Sequence, residues 1–263
     1  MSDRELRLDR PTSDVAVVTL QRPDHRNAIG WQTWAELDAA LGEASEDGVT
    51  RALVLTGAAG CFSAGGDVKS SPSRGEGIGA PSARLSVGHR VVTRLMRLPV
   101  PTIAAVEGFA VGVAWSLVLC CDLVVAAEDA FFAAPFTQRG LAPDGGLAWF
   151  LTRSLGRNRA AELLMLGDRL PAPAAAAAGL VNRVVPPGNA LDTAVELAGR
   201  LITGAPDALM LTKRMIRAAD PELDRFLDVE WFAATLALHG PEAVEGRAAF
   251  AEKRPADFTR RAR

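Results

Sequence analysis

The sequence has little cysteine and almost no excess of charge, and these two absences exclude several classes of protein. Only three of its 263 residues are cysteine, Cys61, Cys120 and Cys121, and their spacing fits neither a disulfide framework nor a metal site. The formal net charge is −2, so no strong field draws the chain to nucleic acid or to an anionic membrane. We therefore predict no metal, no nucleic-acid partner and no membrane partner.

Long hydrophobic runs are also missing. The most apolar stretch, residues 111–127, is interrupted by Ser116 and Asp122 and falls short of the length that a membrane span needs. The first ten residues are charged and lack the apolar core of a signal peptide. We expect a cytoplasmic protein with reduced cysteines. Its 49% of hydrophobic residues is enough for one large domain with a substantial core.

Strand and helix patterns alternate along the first two thirds of the chain. Trp34, Leu37 and Leu41 recur at helical spacing within residues 31–44. Strands that alternate with helices indicate an α/β fold with parallel or spirally stacked strands. Four aliphatic runs bounded by turn residues predict buried strands: 15–20, 52–56, 102–106 and 123–127.

The last quarter of the chain shows helical patterns only. Pro206, Pro221 and Pro241 stand where helices are expected to begin. An alanine-rich segment ahead of Gly179 predicts a short helix over residues 171–179. We expect a core over residues 1–200 and a helical C-terminal section over residues 201–263. From about residue 191 onward, the predicted helices are 191–202, 207–218, 223–238 and 241–253.

Three glycine-containing segments could carry chemistry through the main chain, and each also has an ordinary structural explanation. Residues 61–69 follow a strand and contain two adjacent glycines, which expose main-chain N–H groups or simply form a turn. Residues 106–114 lead from a strand into an apolar helix, whose N-terminus favours negative charge. Residues 140–146 contain a Pro-Asp-Gly-Gly turn in which Asp144 stands near a helix N-cap. A fourth segment, residues 70–82, is rich in Gly, Pro and Ser and predicts a mobile loop.

Read together and in order, these segments resemble the crotonase (enoyl-CoA hydratase/isomerase) family along almost the whole chain. The Pro-Asp-Gly-Gly turn is closest to that of the phenylacetate-pathway enoyl-CoA isomerases. The matching segments are Arg22-Pro23 with Asn27-Ala28, 62–69, 106–122, 136–146, Gly167-Asp168, 179–181 and 250–254.

The resemblance implies a fold, a substrate and a set of site residues. The fold is the crotonase spiral of repeated ββα units with a helical C-terminal section that closes over coenzyme A and forms trimers or dimers of trimers. The substrate is an acyl-CoA thioester, with no separate cofactor. The main-chain N–H groups of Gly66 and Val113 form an oxyanion hole, and Val113 stands where the family usually has glycine. The implied substrate-binding residues are Arg26, Ala28, Ala64, Asp67, Val68, Trp115, Phe136, Phe250 and Lys253.

The residues at the acid/base positions distinguish reactions within the family. Hydratases carry two glutamates, and the matching positions here are Ser116 and Phe136, neither of which can act as a carboxylate. The remaining acid is Asp144, and one carboxylate is enough to move a proton from C2 to C4 of an enoyl group. An apolar wall of Phe136, Trp115 and Trp149 would raise the basicity of Asp144. We therefore expect an enoyl-CoA isomerase.

Four other functions remain open on the sequence. The first is a hydratase with atypical acid/base residues, and the second is a dehalogenase that attacks with an aspartate. A hydrolase with Ser116 as nucleophile lacks an evident partner, because no histidine lies in a segment that resembles the pocket. Loss of both glutamates also suits a catalytically silent acyl-CoA-binding protein.

Overall fold

Two sheets carry the strands of the computed structural model, which describes residues 4–70, 73–75, 82–218 and 223–256. The larger sheet has the order β1-β2-β3-β4-β6-β9, and all its neighbours run parallel except the antiparallel pair β1 and β2. The strands are β1 Leu6–Thr12, β2 Val15–Leu20, β3 Ala52–Gly57, β4 Thr102–Val106, β5 Phe109–Val111, β6 Leu123–Ala127, β7 Phe131–Ala133, β8 Leu170–Pro171 and β9 Arg183–Val185.

The smaller sheet has the order β5-β7-β8. β5 and β7 are parallel, and β8 is antiparallel to β7. An isolated bridge between Ser63 and Ala110 joins the loop after β3 to β5. The predicted α/β fold with largely parallel strands is confirmed.

Helices cover both faces of the larger sheet and the C-terminal part of the chain. The four C-terminal helices agree with the predicted ones to within a residue or two, and the short helix before Gly179 is present. Pro221 and most of the predicted loop 70–82 lie outside the described residues. The helices are α1 Trp31–Glu46, α2 Ala83–Arg97, α3 Val113–Cys120, α4 Leu147–Leu155, α5 Arg157–Leu166, α6 Ala172–Ala177, α7 Ala190–Leu201, α8 Pro206–Ala218, α9 Leu223–His239 and α10 Pro241–Glu252.

The larger sheet is buried on both faces, which explains why its central strands read as continuous aliphatic runs. One face packs on α7 through residues such as Val17, Val54 and Ala194. The other face belongs to the main core with α1, α2 and α3, which includes the fully buried Trp115 and Leu37. Among the described residues, no helix is long and apolar enough to cross a membrane.

Asn27 joins two loops that lead to the functional site. Its Nδ2 donates to the carbonyl oxygens of Ala58 and Cys61, both at 2.9 Å, and its Oδ1 accepts the Arg22 N–H at 2.9 Å. The side chain is buried, and its backbone φ of +55° lies in the left-handed region that asparagine tolerates better than most residues. Asn27 therefore fixes the turn after β2 against the loop that leads to Gly66.

Replacement of Asn27 by alanine is expected to destabilise the fold by about 2–4 kcal/mol, because three main-chain groups lose their hydrogen bonds to a buried side chain. Urea denaturation measures this change. The matched control is Asn189→Ala, at an exposed position whose side chain makes no hydrogen bond with the described residues, and its effect should stay within about 0.5 kcal/mol. Equal unfolding midpoints for the two variants would contradict the role assigned to Asn27.

Candidate active site

A cavity of about 80 Å³ lies where the loop after β3, the start of α3 and the loop before α4 converge. Helices α2 and α9 close its other sides. Apolar side chains form most of the wall, among them Trp34, Leu85 and Leu238. A concave, mainly apolar site with a few convergent polar groups is typical of a binding pocket for a small molecule.

Pairing between loop and sheet brings Gly66 next to Val113. The Val111 N–H donates to the Ser63 carbonyl at 3.1 Å, which holds the loop after β3 alongside β5. On the other side of the loop, the Asp67 N–H donates to the Ile29 carbonyl at 3.0 Å. A Cβ atom built on Gly66 would lie 4.0 Å from Val113 Cγ1, so the two residues are neighbours across the cavity wall.

The main-chain N–H groups of Gly66 and Val113 are available to a ligand. Within the described residues, neither group donates a hydrogen bond. Val113 is the first residue of α3, where N–H groups have no partner inside the helix and the helix dipole favours negative charge. The left-handed φ of +58° falls on Gly112, so valine fits the next position without strain. This explains how Val113 can stand where the family usually has glycine.

The turn that carries Asp144 packs directly against the start of α3. Gly145 has a φ of +66°, and a Cβ atom there would come within 2.7 Å of Val113 Cγ2, so this position requires glycine. The Ser116 hydroxyl donates to the Asp144 carbonyl oxygen at 3.1 Å. Ser116 thus positions the acid-bearing turn by contacting its main chain.

The Asp144 carboxyl group has a pKa near neutral pH. Its Oδ1 atom is buried and accepts no hydrogen bond from the described residues. Burial, followed by the negative charge of Glu230, raises the pKa of Asp144 to about 7, although Arg84 and His89 act in the opposite direction. A carboxyl group with this pKa can both take up and release a proton at physiological pH.

The residues predicted to contact the substrate divide between the cavity and its surroundings. Ala64, Val68 and Phe136 line the cavity together with Gly66, Val113 and Asp144. Trp115 does not: it is fully buried in the core and stacks on Phe132 with ring centroids 5.5 Å apart. Val113, at the start of α3, lines the cavity, whereas the Trp115 ring lies in the core. Trp115 is therefore not part of the expected apolar wall.

The other predicted contacts lie outside the cavity lining. Asp67 Oδ2 is 3.3 Å from Arg22 Nη1, and the same guanidinium donates to the Ala28 carbonyl at 2.6 Å. Arg26 is exposed at the turn after β2. The Phe250 ring lies under the Arg139 guanidinium, 4.9 Å from its centroid, and Lys253 follows α10 at an exposed position.

Sequence reasoning missed three charged residues around Asp144: Arg84 and His89 of α2 and Glu230 of α9. No histidine lies in a segment that resembles the pocket motifs of the family, yet α2 crosses the cavity and brings His89 to its wall. Arg84 and Gly88, and likewise Leu85 and His89, are four residues apart and share a helix face, which is a signal that the sequence did contain.

A serine nucleophile is not assembled at this site. His89 Nε2 lies 2.9 Å from Glu230 Oε1, while the Ser116 hydroxyl is engaged with the Asp144 carbonyl. Among the described residues, no hydrogen bond joins Ser116 to a histidine. The serine–histidine contact that such a hydrolase needs is therefore not formed.

Comparison with known proteins agrees with the geometry. The family model described as enoyl-CoA hydratase/isomerase matches residues 10–261. The chain belongs to the enoyl-CoA hydratase/isomerase family. Its similarity to the 1,2-epoxyphenylacetyl-CoA isomerase of Escherichia coli K12 is 37% identity over 259 residues, covering 97% of this chain and 98% of that protein. The predicted crotonase family, with its likeness to a phenylacetate-pathway isomerase, is confirmed.

Relatives in this enoyl-CoA hydratase/isomerase family also include hydratases. The short-chain-enoyl-CoA hydratase of Clostridium acetobutylicum is 34% identical over 242 residues, covering 91% of this chain and 92% of that protein. A crystal structure of an enoyl-CoA hydratase from Mycobacterium avium subsp. paratuberculosis K-10 matches with a TM-score of 0.88 at 33% identity, covering 97% of this chain and 99% of that one. The crotonase fold and an acyl-CoA enzyme are thus shown, and the reaction within the family is not distinguished by these names.

Replacement of Asp144 by asparagine is expected to stabilise the protein in a pH-dependent way. The folded-state pKa of about 7 lies above the unfolded value near 3.9, so the protonated form favours folding. That contribution is complete below about pH 4 and is lost as the pH rises to about 7. The stability of the variant relative to wild type should therefore be greater at pH 8 than at pH 4.5. The increase should be at least about 1 kcal/mol, or about 2–4 °C in Tm.

Thermal denaturation at the two pH values measures this difference. Asp129→Asn, at an exposed position, is the matched control and should show no such pH dependence. A Tm difference between Asp144→Asn and wild type that is the same at both pH values would contradict the raised pKa.

Proposed function

We propose that this chain is an enoyl-CoA isomerase that moves a double bond from position 3 to position 2 of an acyl-CoA thioester. One observation carries the proposal: among the described residues that line the cavity, Asp144 alone has a carboxyl group. Hydration calls for two coordinated proton-handling groups. In a hydratase of this family, glutamates stand where this chain has Ser116 and Phe136.

The first step is removal of a proton from C2 of the acyl group. The thioester oxygen accepts hydrogen bonds from the Gly66 and Val113 N–H groups. The Asp144 carboxylate takes the C2 proton, and the electron pair moves into a dienolate whose negative charge rests on the thioester oxygen. A preorganised donor of this kind stabilises such a transition state by about 2.7–4 kcal/mol.

The second step returns the same proton at C4. The Asp144 carboxylic acid protonates C4, the double bond forms between C2 and C3, and the thioester carbonyl is restored, so the product has the mass of the substrate. A pKa near 7 suits Asp144 for both steps. The apolar ring of Phe136 in the cavity wall reduces access of water to the intermediate.

Hydration is the second candidate, because a relative named as a hydratase shares 34% of its residues with this chain. A water molecule held by Asp144 would have to both attack the acyl group and supply the proton that C2 needs. The cavity offers no second carboxyl group among its described lining residues for this task.

The proposed assembly is a homotrimer or a dimer of trimers, with the coenzyme A arm of the substrate running along Ala64 and Val68. Helix α8 supports an association between copies of the chain. It has no buried residue within one chain, and Leu211, Met215 and Ile216 are 49%, 66% and 71% exposed. Exposed apolar groups of this kind are typical of surfaces that another subunit covers.

Incubation of the protein with 3-hexenoyl-CoA should produce the conjugated thioester without a change in mass. Absorbance of the conjugated product and mass spectrometry follow the reaction together. The same measurements on 2-hexenoyl-CoA provide the comparison. Addition of one water to the 2-enoyl compound, with no isomerisation of the 3-enoyl compound, would replace the proposed reaction with hydration.

Asp144→Asn should lower the isomerisation rate by at least about 100-fold, because it removes the group that carries the proton. Acyl-CoA affinity should change little, since the coenzyme A arm contacts other residues. Exchange of the C2 protons of hexanoyl-CoA with deuterated water provides a second readout, and the variant should lose it.

Asp129→Asn is again the matched control and should keep both turnover and exchange. Undiminished turnover in Asp144→Asn would refute the assignment of the base. Absence of exchange in the wild-type protein, with intact binding, would instead indicate a silent acyl-CoA-binding protein.

A further inference from the structure

The carboxyl group of Glu230 is buried against the turn that carries the proposed base. Its side chain is 2% exposed. Both of its oxygens lie within hydrogen-bond distance of the Gly146 N–H, Oε1 at 3.0 Å and Oε2 at 2.9 Å. Gly146 is the N-cap of α4 and stands two residues after Asp144. Glu230 therefore contacts the catalytic turn from α9, 84 residues further along the chain.

A second contact joins Glu230 to α2. His89 Nε2 lies 2.9 Å from Glu230 Oε1, so the imidazole N–H donates to the carboxylate. The carboxyl group thus connects three elements around the cavity: α2, α9 and the start of α4. A buried carboxylate normally requires hydrogen bonds and favourable dipoles, and here it has two donors and the N-terminus of a helix.

The position of Glu230 also affects the charge environment of Asp144. The negative charge of Glu230 is, after burial, the main factor that raises the pKa of Asp144. Arg84 and His89 of α2 oppose it, while Arg247 of α10 lies close enough to interact with Arg84. The Cys120 thiol of α3 also interacts with Glu230, and burial keeps this thiol neutral by raising its pKa.

We propose that Glu230 is a positioning residue, which fixes the Asp144 turn through the Gly146 N–H and places a second negative charge beside the base. The charge makes Asp144 more basic than burial alone would. The hydrogen bonds hold α9 against α2, and α9 contributes Ala234 and Leu238 to the cavity wall. The same helix, α9, therefore makes Asp144 more basic and completes the wall of the pocket.

This inference rests on the proposed function in one respect, which is that Asp144 is the base of the isomerisation. The titration of Asp144 itself can be measured without turnover. We therefore choose carbon NMR of protein labelled with ¹³C in its aspartate carboxyl groups, and the Asp144 signal is assigned by its absence from Asp144→Asn. A protein that does not isomerise the substrate can then be distinguished from one in which Glu230 does not affect the titration of Asp144.

Glu230→Gln is the central variant, because glutamine has the same shape and its amide oxygen can still accept the Gly146 N–H. The titration midpoint of Asp144 should fall by about one pH unit when the neighbouring charge is removed. The matched control is Asp228→Asn, which removes an exposed carboxyl group from the same helix and should leave the midpoint unchanged. A midpoint in folded Glu230→Gln that equals the wild-type value would overturn the proposal.

A second variant covers the case in which Glu230→Gln does not fold. His89→Gln keeps an N–H donor for Glu230 but removes a group that lowers the pKa of Asp144, so the midpoint should rise. A fall or no change in His89→Gln would overturn the arrangement of charges proposed here.

Kinetics separate a positioning role from a general loss of stability. The acidic limb of kcat/KM for 3-hexenoyl-CoA should move to lower pH in Glu230→Gln by the same amount as the NMR midpoint. In Glu230→Asp, which retains the charge but is one methylene shorter, kcat should fall about tenfold with little change in KM. A variant that loses only Tm, with unaltered kcat and pH profile, would show that Glu230 is merely structural.

Discussion

The close approach of the Asp144 turn to the start of α3 determines the geometry of the whole site. Gly112 takes the left-handed conformation that lets α3 begin with a free N–H on Val113. Gly145 leaves room for Val113 and Ser116, and the Ser116 hydroxyl holds the Asp144 carbonyl. The proposed oxyanion donor on Val113 and the proposed acid/base group of Asp144 therefore share one support. Any displacement of α3 would move the Val113 N–H group and the Asp144 turn together.

The same packing imposes an energetic conflict at Asp144. Burial without a hydrogen-bond partner for Oδ1 favours the neutral carboxyl group, whereas proton abstraction requires the carboxylate. The raised pKa lies close to physiological pH, so both forms are populated and neither step of an isomerisation starts from a rare state. Burial of this carboxyl group lowers the stability of the fold, as is usual for a strained or desolvated site.

Much of this architecture could be predicted from the sequence, and the parts that could not have identifiable physical reasons. The runs that form β2, β3, β4 and β6 are buried on both faces and therefore continuously apolar. β5 and β7 have only three residues each, which is too short for a periodic signal. β1 is an edge strand whose residues are mostly exposed, so it has no continuous apolar run. Gly66 and Asp144 lie in glycine turns that are visible in the sequence, and their predicted roles follow from the resemblance of these turns, read in order, to the family. Glu230 was not predicted, because its contact with Gly146 spans 84 residues and depends on how α9 docks.

Two residue identities favour the proposed isomerisation over hydration. Where the family resemblance implies a glutamate in hydratases, Ser116 has a hydroxyl that holds the Asp144 turn, and Phe136 has an apolar ring in the cavity wall. Neither side chain brings a second carboxyl group to the cavity beside Asp144. Desolvation strengthens the hydrogen bonds from Gly66 and Val113 to a developing oxyanion, because fewer water molecules compete for it. The absence of a second carboxyl group from the described cavity lining therefore favours the proposed reaction, in which main-chain amides hold an enolate and a single base moves the proton.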